Sequence, residues 1–246
     1  MIRKGIYIQV VRLCFAAVLL LTGITSPAQQ PQGHKQALQQ HIAQIKESIA
    51  KNQAALRQYT WIETTEISLK GEVKKTTQKE CRYGADGKVV KTPIQGEQPQ
   101  QEGGKKPRGL RGKIVEKKVA ELKDYGERFG NLIGHYVPPD PDRMKASFQA
   151  GNASLEGGGG AAALGFKNYY KEGDKVTLTF DTAAKQIRGY DVASFLDGPK
   201  DVATLSAKFA NLDGGANYLS ETVLNSQEKQ LQIRITNSGY RKTGSK

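Results

Sequence analysis

The side chains best suited to chemistry in this 246-residue chain are three histidines, two cysteines and a scatter of carboxylates, and their spacing organises little of it. His135 is the strongest candidate. It precedes Tyr136 and the acidic pair Asp140 and Asp142, a set that would make a metal cluster or an acid/base pair if a cleft brought it together. Pro138 and Pro139 intervene, no further ligand is fixed, and capping and turn roles for the two aspartates compete with the chemical one. His34 and His41 read as solvated or packed imidazoles. Asp191, Asp197 and Asp201 resemble a hydrolase's carboxylates, yet two of them frame the turn at Gly198 and Pro199, which is the ordinary use of aspartate there. Gly157, Gly159 and Ala162 match a dinucleotide fingerprint by spacing, but a parallel strand before them and a long helix after them are both missing. Metalloprotease, nucleophile-elbow, phosphate-loop, C-x-x-C and EF-hand patterns do not occur. The pattern therefore points to a protein that is not an enzyme and carries no cofactor or metal, with an unrecognised hydrolase built on His135 and Asp140 or Asp142 as the alternative.

The N-terminus explains part of the composition. Arg3 and Lys4 precede a mostly apolar run from Val10 to Leu21, and Ser26, Pro27 and Ala28 provide small residues at a cleavage site, the layout of a signal peptide over residues 1–28. Arg12 breaks the run, which falls short of the roughly 20 apolar residues that span a bilayer. Cys14 lacks the pattern of a lipoprotein signal. Cleavage after Ala28 removes three basic residues and no acidic one, so the net charge falls from +13 to +10 over 218 residues. Cys81 is then the one cysteine left, so a packed core must replace disulfides. It reads as a small buried strand residue, with a reactive thiol or an intermolecular bridge as the alternative.

The elements follow from periodicity. Leu38, Ile42, Ile45, Ile49 and Leu56 recur at helical spacing across Lys35 to Arg57, with a polar opposite face. From Tyr59 the period becomes two: Tyr59, Trp61, Ile67 and Leu69 share a side on which Glu63 is discordant. A strand from Val73 to Tyr83 and a hairpin through Ala85 to Lys88 into Val89 and Val90 complete an antiparallel opening sheet. Residues 95–112 are a flexible linker by composition, carrying the basic cluster Lys105, Lys106, Arg108, Arg111 and Lys113. A helix runs from Ile114 to Tyr136, with Gly126, Gly130 and Gly134 at four-residue steps that permit close packing or mobility, and prolines stop it. A short helix over Asp140 to Gln149 and a flexible or sharply turning stretch at Gly157 to Gly160 come next.

The last third reads as six short antiparallel strands: Lys167 to Tyr170, Lys175 to Phe180, Gln186 to Leu196, Val202 to Leu212, Asn217 to Leu224 and Gln230 to Thr236. Alternation gives them one apolar face, including Leu178, Phe180, Leu205 and Phe209, which something else must cover. No fixed repeat of 20 to 50 residues occurs. The positive charge admits an anionic membrane surface near the 105–113 cluster or a generally basic solvated surface. Nucleic acid is disfavoured, because aromatic and basic residues do not interleave.

This order of elements resembles the periplasmic carriers that take lipoproteins to the outer membrane, and related lipid-binding envelope proteins. The local echo is YTWIE at 59–63 running through Leu69 and Gly71 into the second strand. NYYKEGD at 168–174 and ITNSGY at 235–240 also look like an uncharacterised family of secreted bacterial proteins. The resemblance implies an α+β fold: a curved, incompletely closed antiparallel β-barrel, a half-barrel, lidded by an N-terminal helix and a central helical insertion, in one domain over residues 29–246. It implies a location in the periplasm or cell envelope, and a role binding lipid or lipoprotein acyl chains, in outer-membrane lipoprotein sorting. Trp61, Leu69, Leu178, Phe180, Leu205 and Phe209 are the expected apolar lining, ordinary core being the alternative for each. The competing role is a non-catalytic envelope protein that docks a protein partner or an anionic membrane surface through the basic cluster. The oligomeric state is left open.

Overall fold

The computed structural model describes residues 51–94, 110–137, 140–158 and 160–243. The signal sequence, most of the N-terminal helix, and Lys105, Lys106 and Arg108 lie outside the described residues. Residues 51–56 are helical, in keeping with the tail of the expected first helix.

Ten strands form one antiparallel sheet. In chain order they are β1 (Tyr59–Leu69), β2 (Glu72–Tyr83), β3 (Val89–Pro93), β4 (Ala153–Gly158), β5 (Ala161–Lys167), β6 (Lys175–Asp181), β7 (Gln186–Phe195), β8 (Val202–Asn211), β9 (Asn217–Ser226) and β10 (Leu231–Lys242). The helices α1 (Leu110–Gly134) and α2 (Pro141–Gln149) separate the first three strands from the last seven. Spatially the order is β3-β2-β1-β10-β9-β8-β7-β6-β5-β4. The last strand thus pairs with the first, and β3 and β4 remain as edges of a sheet not closed into a barrel. Register shifts interrupt the β1–β10, β1–β2, β6–β7 and β8–β9 pairings, and such irregularities bend strands. The architecture is an open α+β sheet of the half-barrel kind.

Two expectations need correction, and two strands go beyond the sequence reading. The segment expected as a strand from Lys167 to Tyr170 is mostly the β5–β6 turn. Asn168 takes a left-handed φ of 51° and its side chain accepts from Gly173 N. The sharp turn expected near Gly157 joins β4 to β5, which pair as an antiparallel hairpin that the sequence reading did not name. Helix α1 begins at Leu110, inside the expected linker, so Arg111 and Lys113 stand on a helix. Asp140 caps α2, accepting from the Asp142 and Arg143 amides, with Pro141 at the first helical position.

Glycine has opposite uses at two places. Gly157 has φ +120°, and a Cβ there would strike the Ala161 carbonyl oxygen. At Gly126 and Gly134 a Cβ would meet nothing within 4 Å, so these two α1 glycines do not serve the close packing that their spacing suggests. They cost helix propensity without an offsetting contact. Gly126→Ala should therefore raise stability by about 1 kcal/mol in urea unfolding, whereas Gly157→Ala should lower it; a loss at Gly126 would show that the open space is needed.

Candidate functional site

The sheet's register assembles one continuous face. Phe166, Val176, Val192, Leu205, Leu224, Ile233 and Ile67 stand directly opposite one another, strand to strand, from β5 to β1. The next row holds Leu164, Leu178, Tyr190, Ala207, Thr222, Ile235 and Thr65. Alternation places every member of a row on the same side. Helix α1 lies on this side: Tyr125, Phe129, Leu132, Ile133 and Tyr136 share one buried cluster with the sheet's Tyr190, Val192, Leu205 and Leu224. Their spacing of four, three, one and three residues makes a single helical stripe.

Polar bonds at both ends hold the helix in place. Tyr125 donates to Asp201 Oδ1 at 2.6 Å and its hydroxyl also meets Ser226 Oγ. Eleven residues further on, Tyr136 donates to Asp174 Oδ2 at 2.7 Å and meets Ser194 Oγ at 2.7 Å. Each aspartate ends a hairpin turn, β7–β8 for Asp201 and β5–β6 for Asp174. Eleven helical residues span about 16 Å, so α1 crosses the neighbouring hairpins at one end of the sheet. Tyr190 adds a bond from its hydroxyl to the Tyr136 carbonyl at 2.8 Å, and Arg128 pairs with Asp197 at 2.5 Å.

The two aspartates are not equivalent. Asp174 also accepts from the Tyr169, Tyr170 and Lys171 amides at 2.6, 2.9 and 2.9 Å, so it organises its turn independently of the helix. Asp201 Oδ2 is buried without a partner.

The expected lining residues divide into three groups. Leu205 is fully buried beneath α1, while Leu69, Leu178 and Phe209 are partly buried and pack against the same cluster. Phe180 joins a small neighbouring cluster with Ala162 and Ile187, in contact with Leu178 and Phe209. Trp61 stands apart with Cys81, Val89, Tyr83 and Tyr240. Its ring stacks on Tyr240 at 5.4 Å, and its Nε1 donates to Asn237 at 3.0 Å. Five of the six residues thus gather on one apolar surface, with Trp61 in a separate aromatic cluster. The discordant Glu63 is buried on the same face and pairs with Lys91 at 2.5 Å. Burial first, and then the Glu63 carboxylate, push the Cys81 thiol up to about 12. That leaves it protonated and unreactive at neutral pH.

His135 and Asp140 both have structural partners. His135 is exposed and stacks on Tyr170 at 4.1 Å between ring centres. Desolvation and then Arg143 hold its imidazole below the usual histidine range. Asp140 caps α2 and pairs with Arg143 at 3.3 Å. Among the described residues no three His, Cys, Asp or Glu side chains gather as a metal site. Ser68, Thr204, Asn225 and Gln232 line an open groove of about 490 Å³ that Val202 and Leu231 also border, which the sequence reasoning did not single out.

Among solved structures, the chain is similar to a DUF1329 family protein from Desulfovibrio piger, at 12% identity over 83% of this chain and 93% of that one, with a TM-score of 0.38. It is also similar to a LolA superfamily protein from Nitrosomonas europaea, at 9% identity over 81% of this chain and 94% of that one, with a TM-score of 0.35. No protein-family model matches the chain, and no curated protein matches it either.

Two measurements test the helix anchors. Tyr125→Phe should cost about 2 to 3 kcal/mol in denaturant unfolding, because it takes from Asp201 its Tyr125 donor, whereas Tyr136→Phe leaves Asp174 three amides and should cost about 1. Equal losses would mean that Asp201 finds another donor. Alkaline titration is the second. Burial, followed by the hydrogen bond to Asp201, raises Tyr125 from 10.0 to about 12, and burial raises Tyr169 to about 12. A phenol whose folded value lies above its unfolded one stabilises fully below pH 10 and loses that contribution as pH climbs towards 12. Unfolding should therefore advance across this window, with the absorbance change of the buried phenols at 295 nm coinciding with loss of structure.

Proposed function

We propose that this protein is an exported envelope carrier that binds the acyl chain of a lipid or lipoprotein on the apolar side of its open sheet, by binding and not by turnover. The observation that carries the reading is incomplete cover of the face among the described residues. Helix α1 buries the middle of the face, but Ile67, Leu69 and Ile233 on β1 and β10, and Leu178, Phe209 and Leu219 elsewhere, remain only partly buried while touching the same core. An acyl chain laid along these side chains would hide them, contributing about 0.8 kcal/mol for each methylene removed from water. The helix that shares the face is fastened by a few hydrogen bonds at strand ends, so displacing it would uncover Leu205, Val192 and Leu224 as further bed for a chain. Outer-membrane lipoprotein sorting is the setting that the family resemblance suggests, and the signal-like residues 1–28 are in keeping with export.

Native mass spectrometry of protein purified from the periplasm should find lipid-sized adducts, and a fluorescent fatty acyl probe should be taken up. Leu69→Asn and Leu178→Asn should each weaken that uptake about tenfold by placing an amide against the chain. Protein that is consistently lipid-free and takes up no probe would overturn the proposal.

A further inference from the structure

Helix α1 begins well before it reaches the sheet. From Glu116 to Asp124 it buries no side chain, and Tyr125 is where it enters the core. Residues 110–121 therefore form an arm about 18 Å long. Val119 on this arm is 61% exposed, the most exposed large apolar side chain among the described residues. Leu122, half-buried, lies about 60° from it around the helix axis. At about 100° per residue, Lys123 falls beside Val119 on one flank of this stripe and Lys118 beside Leu122 on the other. Both lysines are exposed, and neither makes an ion pair among the described residues. Lys117 falls on the far side of the helix, where it pairs with Glu121 at 4.0 Å. Glu116 is the other acidic residue of the arm and lies on the Lys123 flank, two turns away. Residues 110–123 carry five basic residues against two acidic ones.

We propose that the arm of α1 docks the protein on an anionic lipid surface, with Val119 and Leu122 at the headgroup boundary and Lys118 and Lys123 reaching lipid phosphates on either flank. Charge complementarity selects this occupant. A helix lying in a lipid interface needs an apolar stripe flanked by basic residues, and lysine stems cover apolar surface while their ammonium groups stay at the phosphates. A second copy of the chain would instead bring like-charged lysines together. Each lysine at such a surface raises affinity about fivefold. None of these residues belongs to the apolar floor, so docking is independent of what the floor holds.

Co-sedimentation with vesicles of phosphatidylglycerol mixed into phosphatidylcholine, against vesicles of phosphatidylcholine alone, reads the docking. Protein purified from the periplasm should sediment with the first and not the second, and salt should release it. Lys118→Gln with Lys123→Gln should weaken binding about 25-fold and Val119→Ser about fivefold, whereas Lys117→Gln on the far side should change it by about twofold at most. These positions are exposed, and circular dichroism checks the fold of each variant. Uptake of the fluorescent fatty acyl probe should be unchanged in all of them, which separates docking from the carrier role. No preference for anionic vesicles would overturn the proposal. Equal losses from Lys117→Gln and Lys118→Gln would overturn it as well, by marking attraction through net charge alone. A dimer in light scattering that Val119→Ser dissociates would give the stripe to a second copy, with the same consequence. Failed probe uptake with vesicle docking intact would remove the carrier reading and leave the docking arm standing.

Discussion

A ten-stranded antiparallel sheet with one apolar face must hide that face, and in this chain the duty falls largely to α1. Everything else in the structure follows from how it is met. The C-terminal half of α1 presents Tyr125, Phe129, Leu132, Ile133 and Tyr136 in one stripe, which covers the middle strands at Tyr190, Val192, Leu205 and Leu224. A stripe of five side chains is narrower than rows that run across seven strands. The surplus width is the origin of the partly buried leucines, isoleucines and phenylalanine around the helix, and of any capacity to take a ligand in their place.

The choice of tyrosine at both ends of the stripe makes the cover specific. Phenylalanine would bury as much area but would slide along an apolar floor, whereas each phenolic hydroxyl needs a partner when buried. Both hydroxyls find an aspartate at a hairpin end and a serine on a neighbouring strand. The helix is thereby registered against two hairpins at once. Asymmetry between the ends matters as well: the Asp174 turn is complete without the helix, while Asp201 depends on it more heavily. If the helix loosens, the Tyr136 end has the better-preserved partner to return to.

Much of this was legible in the sequence, and the rest was hidden for identifiable reasons. The alternation of Val176, Leu178 and Phe180, or of Leu231, Ile233 and Ile235, announces strands because β-branched and aromatic residues at period two have few other uses. Strands β4 and β5 escaped because Ala153–Gly158 and Ala161–Lys167 are rich in alanine and glycine, which are depleted in strands. Pairing with the strongly patterned β6 overrides that local preference. Tyr169 and Tyr170 mimic a strand end, but Asp174, four and five residues away, collects their amides into a turn. Glu63 was conspicuous as the one discordant residue of β1, and its pairing with Lys91 explains it. The helix anchors carry no sequence signal. Tyr125 and Asp201 are 76 residues apart, and only the completed sheet brings them together.

The charge of the chain acquires a location from the same topology. By composition, the basic excess fits a solvated surface or the 105–113 cluster equally well. The closing pair β1–β10 places the β2–β3 wing beside the apolar floor, so lysines from the first third of the chain border a surface built mostly from the last third. On β2, the exposed Lys75 and the half-buried Lys79 thereby share a face with Ile67, Ile233 and Leu224. A polar strand in that position also serves the fold: an open sheet whose apolar face ran to its edge would offer that edge to other chains. Lys75, opposite Ile67 at the end of the first row, interrupts the apolar face before that edge is reached.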